Sequence, residues 1–223
     1  MRTPRLLMTA CLAVVAARTG GAQIIRQPTR IAEPSSWVGF SVGFWQPQAI
    51  LDGTSGSEWQ FGDALQYRVA LEKSIQNQSS VGLTATFARI GMTYASLGNL
   101  SGVCAGSCDA DANVTQLLAT FHAGGSVIGF HQVIDLAAGA TGYYNFRERT
   151  TGQRLEPKNV DLDFAMSIGY GFGYTFSPTT QFELVQDFGL GMHQREGLTG
   201  QDRTIGYQYT TRLGVRFGLG MQR

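Results

Sequence analysis

Asp161–Phe176 reads DLDFAMSIGYGFGYTF. Leu162, Phe164, Met166, Ile168, Tyr170, Phe172, Tyr174 and Phe176 alternate without a break with Asp161, Asp163, Ala165, Ser167, Gly169, Gly171, Gly173 and Thr175. A period of two sustained over such a length is a β-strand, not a helix. One face is bulky and aromatic, and the other is small or acidic.

The same alternation recurs on both sides. Segments are expected at about 36–46, 59–73, 80–95, 114–123, 131–146, 160–176, 181–193 and 204–221. In the first, Val38, Phe40, Val42 and Phe44 oppose Gly39, Ser41 and Gly43. In the third, the apolar positions pass from Val81, Leu83, Ala85 and Phe87 to Ile90, Met92 and Tyr94, which predicts a bulge near Ala88–Arg89. Connectors alternate between long (46–58, 96–113, 147–159, 194–203) and short (74–79, 124–130, 177–180), the asymmetry of membrane barrels. The fold class expected is all-β: an eight-stranded antiparallel up-and-down transmembrane barrel.

Alternation alone does not say which face is outside, since a soluble lipocalin-type barrel hides its apolar face. The second face decides here. A water-facing wall would carry Lys, Glu, Asn and Thr, whereas in the first, fifth, sixth and seventh segments it is largely Gly, Ala and Ser. Small residues suit the packed interior of an eight-stranded barrel, and glycine on an open surface would weaken the strands to no purpose. The aromatic face is therefore expected to meet lipid, with the sheet closed because lipid leaves no partner for a free edge. Trp37, Trp45, Trp59, Tyr94, Tyr144, Tyr174 and Tyr207 are expected at the two interfaces.

Composition agrees. Charged residues are 15% of the 223, and glycines number 29, against typical values of about 25% and ~7% in soluble domains. The N-terminus has the plan of an export signal: Arg2 and Arg5, an apolar run from Leu6 to Ala17, then small residues, with cleavage expected after Ala22. The domains are then a signal peptide at 1–22, a periplasmic leader at 23–35 containing Pro28 and Pro34, and a barrel at 36–223. A lipoprotein box at Met8–Cys11 would leave too short an apolar region. Cleavage removes three of the 17 basic residues and none of the 16 acidic ones, leaving a net charge of −2. That balance argues against nucleic acid as a partner. Cys104 and Cys108 remain in Cys-Ala-Gly-Ser-Cys, and an even pair in an exported chain predicts a disulfide. Asp109, Asp111 and Asn113 have the opening spacing of a calcium loop, but its sixth-position Gly and closing Glu are missing, so they read as a polar loop. No cofactor or metal motif is present.

The inward charges can be named: Arg68, Glu72, Asp135, Asp161, Asp163, Glu183, Asp187, Arg212 and Arg216. Buried charge must be paired. Glu183 opposite Arg216 and Asp187 opposite Arg212 share one antiparallel register, and both are expected as ion pairs that plug the lumen.

The chain resembles the small eight-stranded outer-membrane barrels of Gram-negative bacteria over about residues 36–221. The most specific match is in the last strand, where Arg212, Gly214, Phe217 and Leu219 have the pattern of the signal read by the barrel-assembly machinery; many members end on Phe, whereas Gly220-Met-Gln-Arg223 follows here. The resemblance implies a monomer in the outer membrane, in contact with lipid and lipopolysaccharide. Three functions then compete. One is a structural or surface-interaction barrel, to which Arg147, Arg149, Arg154 and Lys158 would lend positive charge. Another is a narrow pore. The last is a lipid A-modifying enzyme, whose deacylase-like members carry a His followed two residues later by Ser. His193 stands in about that place, but Arg195 replaces the Ser, so the triad logic fails. His122 and His131 show no local partner. The expected role is the first, without catalysis.

Overall fold

A computed structural model describes residues 34–53, 55–76, 78–96, 104, 106–124, 128–194 and 203–221. The expected signal peptide and all but the last two residues of the expected leader lie outside them. The elements are β1 (Pro34–Pro47), β2 (Ile50–Asp52), β3 (Ser57–Phe61), β4 (Ala64–Gln76), β5 (Ser79–Ser96), β6 (Ser107–Ala123), β7 (Gly129–Glu148), β8 (Asp161–Ser177), β9 (Thr180–Gln194) and β10 (Arg203–Met221). Eight of them, all but β2 and β3, form a closed antiparallel barrel in which β1 pairs with both β4 and β10 and every other neighbour is next in sequence.

Closure has a measurable stagger. Followed through the pairings, Val38 leads to Leu71, Leu83, Ala119, Ala138, Met166, Leu190 and Tyr207. The carbonyl of Tyr207 then accepts from the Gln48 amide at 2.9 Å, ten residues along the chain from Val38. A stagger of this kind is what forces the strands to tilt, by roughly 35–45° from the axis.

The outer wall is apolar around the circumference. Phe40, Phe44, Leu65, Tyr67, Leu71, Leu83, Leu117, Leu136, Ile168, Phe172, Leu184, Phe188, Leu213 and Phe217 are all exposed. The inner wall keeps its small residues. A Cβ on Gly169 would collide with the Asp187 carboxylate, and one on Gly171 with the Leu184 carbonyl, so these glycines make room for inward side chains and for close strand approach.

Four expectations are corrected. First, β1 starts at Pro34, two residues before the expected barrel boundary, and the expected second segment is two elements. Residues 57–61 fold back on 50–52 as a hairpin in the first long connector, and β3 takes over from β4 as partner of the far end of β5. Gly62-Asp63 breaks the run between them.

Second, the connector expected at 96–113 is shorter. β6 begins at Ser107, so Asp109, Asp111 and Asn113 lie on a strand beside Thr93, Gly91 and Arg89. Third, β5 has no bulge at Ala88–Arg89. Its pairing with β6 runs unbroken from Ser79 to Ala95, and Ile90, Met92 and Tyr94 point inward in phase with Thr84 and Thr86. The slip is on β7, where Asn145 has φ 59° and the register shifts between Asp111 and Asn113. It turns Phe146, expected outward beside Tyr144, into the interior.

Fourth, Trp37, Trp45, Trp59 and Tyr94 are buried, whereas Tyr174 and Tyr207 face outward and Tyr144 is half-buried. Strand parity explains the two tryptophans of β1, since Trp37 and Trp45 share the inner face with Gly39, Ser41 and Gly43.

Candidate functional site

The lumen is filled in layers. Nearest the short turns lies a charged layer. Arg216 donates to Glu72, to Ser80 Oγ and Gln181 Oε1 at 3.0 Å each, and to Glu183 Oε1 at 3.4 Å. Its guanidinium carbon stands 4.8 Å from the centre of the Trp37 ring, a cation–π contact in a desolvated place. Arg212 donates through Nε to Asp187 Oδ2 at 2.8 Å, pairs with Asp135, and has Nη1 3.8 Å from Glu183. His122 bridges the two halves: Nδ1 is 2.7 Å from Asp135 Oδ1 and Nε2 is 2.6 Å from Arg216 Nη1. Arg68 reaches Asp187 at 3.7 Å. In low dielectric each of these charges depends on its partners.

The register of this layer differs from the expected one. Glu183 pairs across the ladder with Gly214 and Arg216 with Gln181; Asp187 pairs with Thr210 and Arg212 with Val185. The strands are offset by two residues from the arrangement that would set each acid opposite its base. A shift of two keeps every side chain on its own face, and the long arginines reach their partners diagonally. The register follows barrel closure, and the charges adapt to it.

Above the charges is an amide and hydroxyl layer. Gln116 Nε2 donates to Thr141 Oγ1 at 3.1 Å and to Gln208 Oε1 at 3.3 Å, and Trp45 Nε1 donates to the same Gln208 oxygen at 2.9 Å. Cavities of about 20 Å³ remain among the described residues. One lies among Arg68, Glu72, His122 and Arg216, another among Gln66, Gln116, Ser167 and Gln208. Each has room for about one water molecule.

Toward the long loops the interior turns apolar. Trp45, Ile50, Trp59, Ile90, Met92, Val114, Tyr143, Phe146 and Leu155 form one cluster, with Cys104 in it and Cys108 against it. Trp59 is its hub, with ring centres 4.7 Å from Phe146 and 5.7 Å from Tyr143. The sulfurs of Cys104 and Cys108 are at disulfide distance, with Cα atoms 5.6 Å apart, which ties the second long connector to the start of β6. Here the outer face of β5 and β6 turns polar, while Leu162 on β8 and Ile205 on β10 stay apolar and exposed. Asp111 is gripped by Arg149 at 2.8 Å and Arg89 at 3.1 Å. Burial works against the charge on Asp111, but the two guanidiniums outweigh it and hold the carboxyl below its ordinary range.

His193 is inside this end, 5.2 Å from Trp59 between ring centres, with Nδ1 2.8 Å from Asp163 Oδ1. Asp52, Asp161 and His193 each offer a ligand atom, all within 4.8 Å of one another. Asp52 was missed by sequence reading because it sits in a connector; only its hairpin carries it to the barrel mouth. Arg195 lies outside the described residues. Arg212, Gly214, Phe217 and Leu219, the expected assembly signal, all lie on β10, with Arg212 and Gly214 facing in and Phe217 and Leu219 exposed to the outside.

No protein-family model matches the chain, and no curated protein matches it in sequence. Solved structures do. Neisserial surface protein A is 9% identical, with a TM-score of 0.51 over 83% of this chain and 97% of that one. OprG of Pseudomonas aeruginosa is 12% identical (TM-score 0.43, 84% and 98% covered), and Ail of Yersinia pestis is 15% identical (0.41, 82% and 99%). These two superimpose more loosely. The chain has the fold of the small eight-stranded outer-membrane β-barrels.

Proposed function

We propose that this is an outer-membrane barrel with a structural or surface-interaction role and no catalysis. The observation that carries the reading is the outer surface, which changes character along the axis. An apolar belt meets hydrocarbon, and just beyond it, on the β5–β6–β7 wall, stand the exposed guanidiniums of Arg89, Arg147, Arg149 and Arg154. Arginine recognises phosphate through its planar fork, and this row stands where head groups of the outer leaflet would be. The partner is therefore anionic lipid, lipopolysaccharide in the first place. The charged and amide layers that fill the lumen among the described residues support a wall without conduction. After export and removal of residues 1–22, the β10 pattern at Arg212, Gly214, Phe217 and Leu219 would hand the chain to the barrel-assembly machinery.

The test combines two measurements on the barrel refolded into vesicles. Binding of lipopolysaccharide is expected to weaken strongly when Arg89, Arg147, Arg149 and Arg154 are changed together to Gln, and planar bilayers are expected to show no unitary conductance. Unchanged binding, or steady channel openings, would overturn the reading.

A further inference from the structure

We infer that Asp52, Asp161 and His193 form a binding site for one divalent cation, of the zinc type, which latches the first long connector to the barrel mouth. The three residues come from separate elements: Asp52 ends β2, Asp161 opens β8, and His193 is near the end of β9.

The imidazole is the strongest sign. His193 is almost wholly buried, and its Nε2 makes no hydrogen bond of good geometry but faces two carboxylates. It stands 3.4 Å from Asp52 Oδ1 and 3.8 Å from Asp161 Oδ2. Zinc bound to N and O at about 2.0–2.1 Å in a tetrahedron separates its ligand atoms by roughly 3.4 Å. The two nitrogen–oxygen edges are thus already near ligand spacing.

The opposite ring nitrogen supplies the second sign. His193 Nδ1 meets Asp163 Oδ1 at 2.8 Å, the carboxylate–histidine arrangement that orients a metal-ligating ring with its other nitrogen toward the metal. Asp52 is itself held, because its other oxygen accepts from the Ser55 amide at 3.0 Å. One nitrogen and two carboxylate oxygens suit zinc, with a fourth position for water. The structural consequence is local. A cation here would join the β2–β3 hairpin, which brings Trp59 into the apolar cluster, to the β8 and β9 wall. This inference is independent of the lipid-contact reading.

The full chain, refolded in detergent and stripped with chelator, is titrated with Zn²⁺ by calorimetry, with heat-dependent gel mobility reporting the folded barrel for every variant. One Zn²⁺ per barrel is expected. His193→Gln and Asp161→Asn are expected to abolish uptake in the same concentration range, Asp163→Asn to weaken it by about 10–100-fold, and Asp111→Asn to leave it unchanged. Asp161 is the most exposed of the three ligands, so its variant decides if His193→Gln does not fold. Co²⁺ in place of zinc should give visible absorption bands that vanish in the variants, and Zn²⁺ should slow proteolysis within residues 47–63. Absence of stoichiometric uptake, or uptake equal in wild type and Asp161→Asn, would overturn the site.

Discussion

The belt and the long-loop end are built from the same strands with opposite polarity. On β5, Thr84 and Thr86 point into a polar lumen while Leu83 and Phe87 point out; a few residues on, Ile90 and Met92 point in while Arg89 points out. The strand does not change phase. On the reading proposed above, what changes is the surrounding medium. In the belt, hydrocarbon takes the apolar side chains and the lumen must satisfy the charges left inside. Beyond it come head groups and water, and the interior becomes an apolar cluster centred on Trp59, with His193 and its acidic partners beside it.

Breaking either half should cost stability for a different reason. The largest loss is expected for Arg212→Met. It removes a guanidinium shared by Asp187, Asp135 and Glu183 and leaves the plug one positive charge short, and removing one side of a buried ion pair costs about 3–5 kcal/mol. Denaturant unfolding followed by tryptophan fluorescence would measure it. Next comes Ile90→Ala at the long-loop end. There nothing refills the space, and a cost of about 2–5 kcal/mol is expected, whereas Ile168→Ala on the belt should cost much less because lipid fills the gap. The contrast sharpens with charge. Ile168→Arg should destabilise by about 2–4 kcal/mol, the penalty for arginine near the bilayer midplane, while Thr93→Arg on the outward side beyond the belt should be neutral in the same assay.

The smallest effect is set by pH. Asp111 has a folded-state pKa below its unfolded value. Its contribution is present at neutral pH and is lost as pH falls through the lowered value. Wild type and Asp111→Asn should therefore converge in stability below the ordinary carboxylate range and separate above it, with Arg89 and Arg149 released from the outer wall in the variant at every pH.

This two-part design explains what the sequence made legible and what it did not. The belt was readable because alternation in Asp161–Phe176 and its neighbours is uninterrupted and its small face has one sensible destination. The inward charges followed from parity alone. At the long-loop end, apolar residues mark the inside, not the outside. Treating Ile90, Met92 and Tyr94 as a continuation of the lipid face therefore implied a bulge that β5 does not have, while the real one, at Asn145, interrupts an aromatic run that reads smoothly. The two-residue offset between β9 and β10 was invisible because a shift of two preserves the face of every residue. Asp52 had no signal of its own. Its neighbours Ile50 and Trp59 belong to a hairpin too short for periodicity to reveal, and its meeting with His193 is a property of the closed barrel.

The central claim is the change of medium along one unbroken strand. It is tested most directly by spin labels placed singly at the outward positions 81, 83, 85, 87, 89, 91 and 93 of β5, in a Cys104→Ser/Cys108→Ser background reconstituted in lipid vesicles. Accessibility to oxygen and to a polar nickel chelate is then compared. Positions 81–87 should favour oxygen and positions 89–93 the nickel chelate, with one crossover between Phe87 and Arg89. Nickel access at every position, as for a soluble barrel, or a crossover elsewhere that reverses the two sets, would contradict the account.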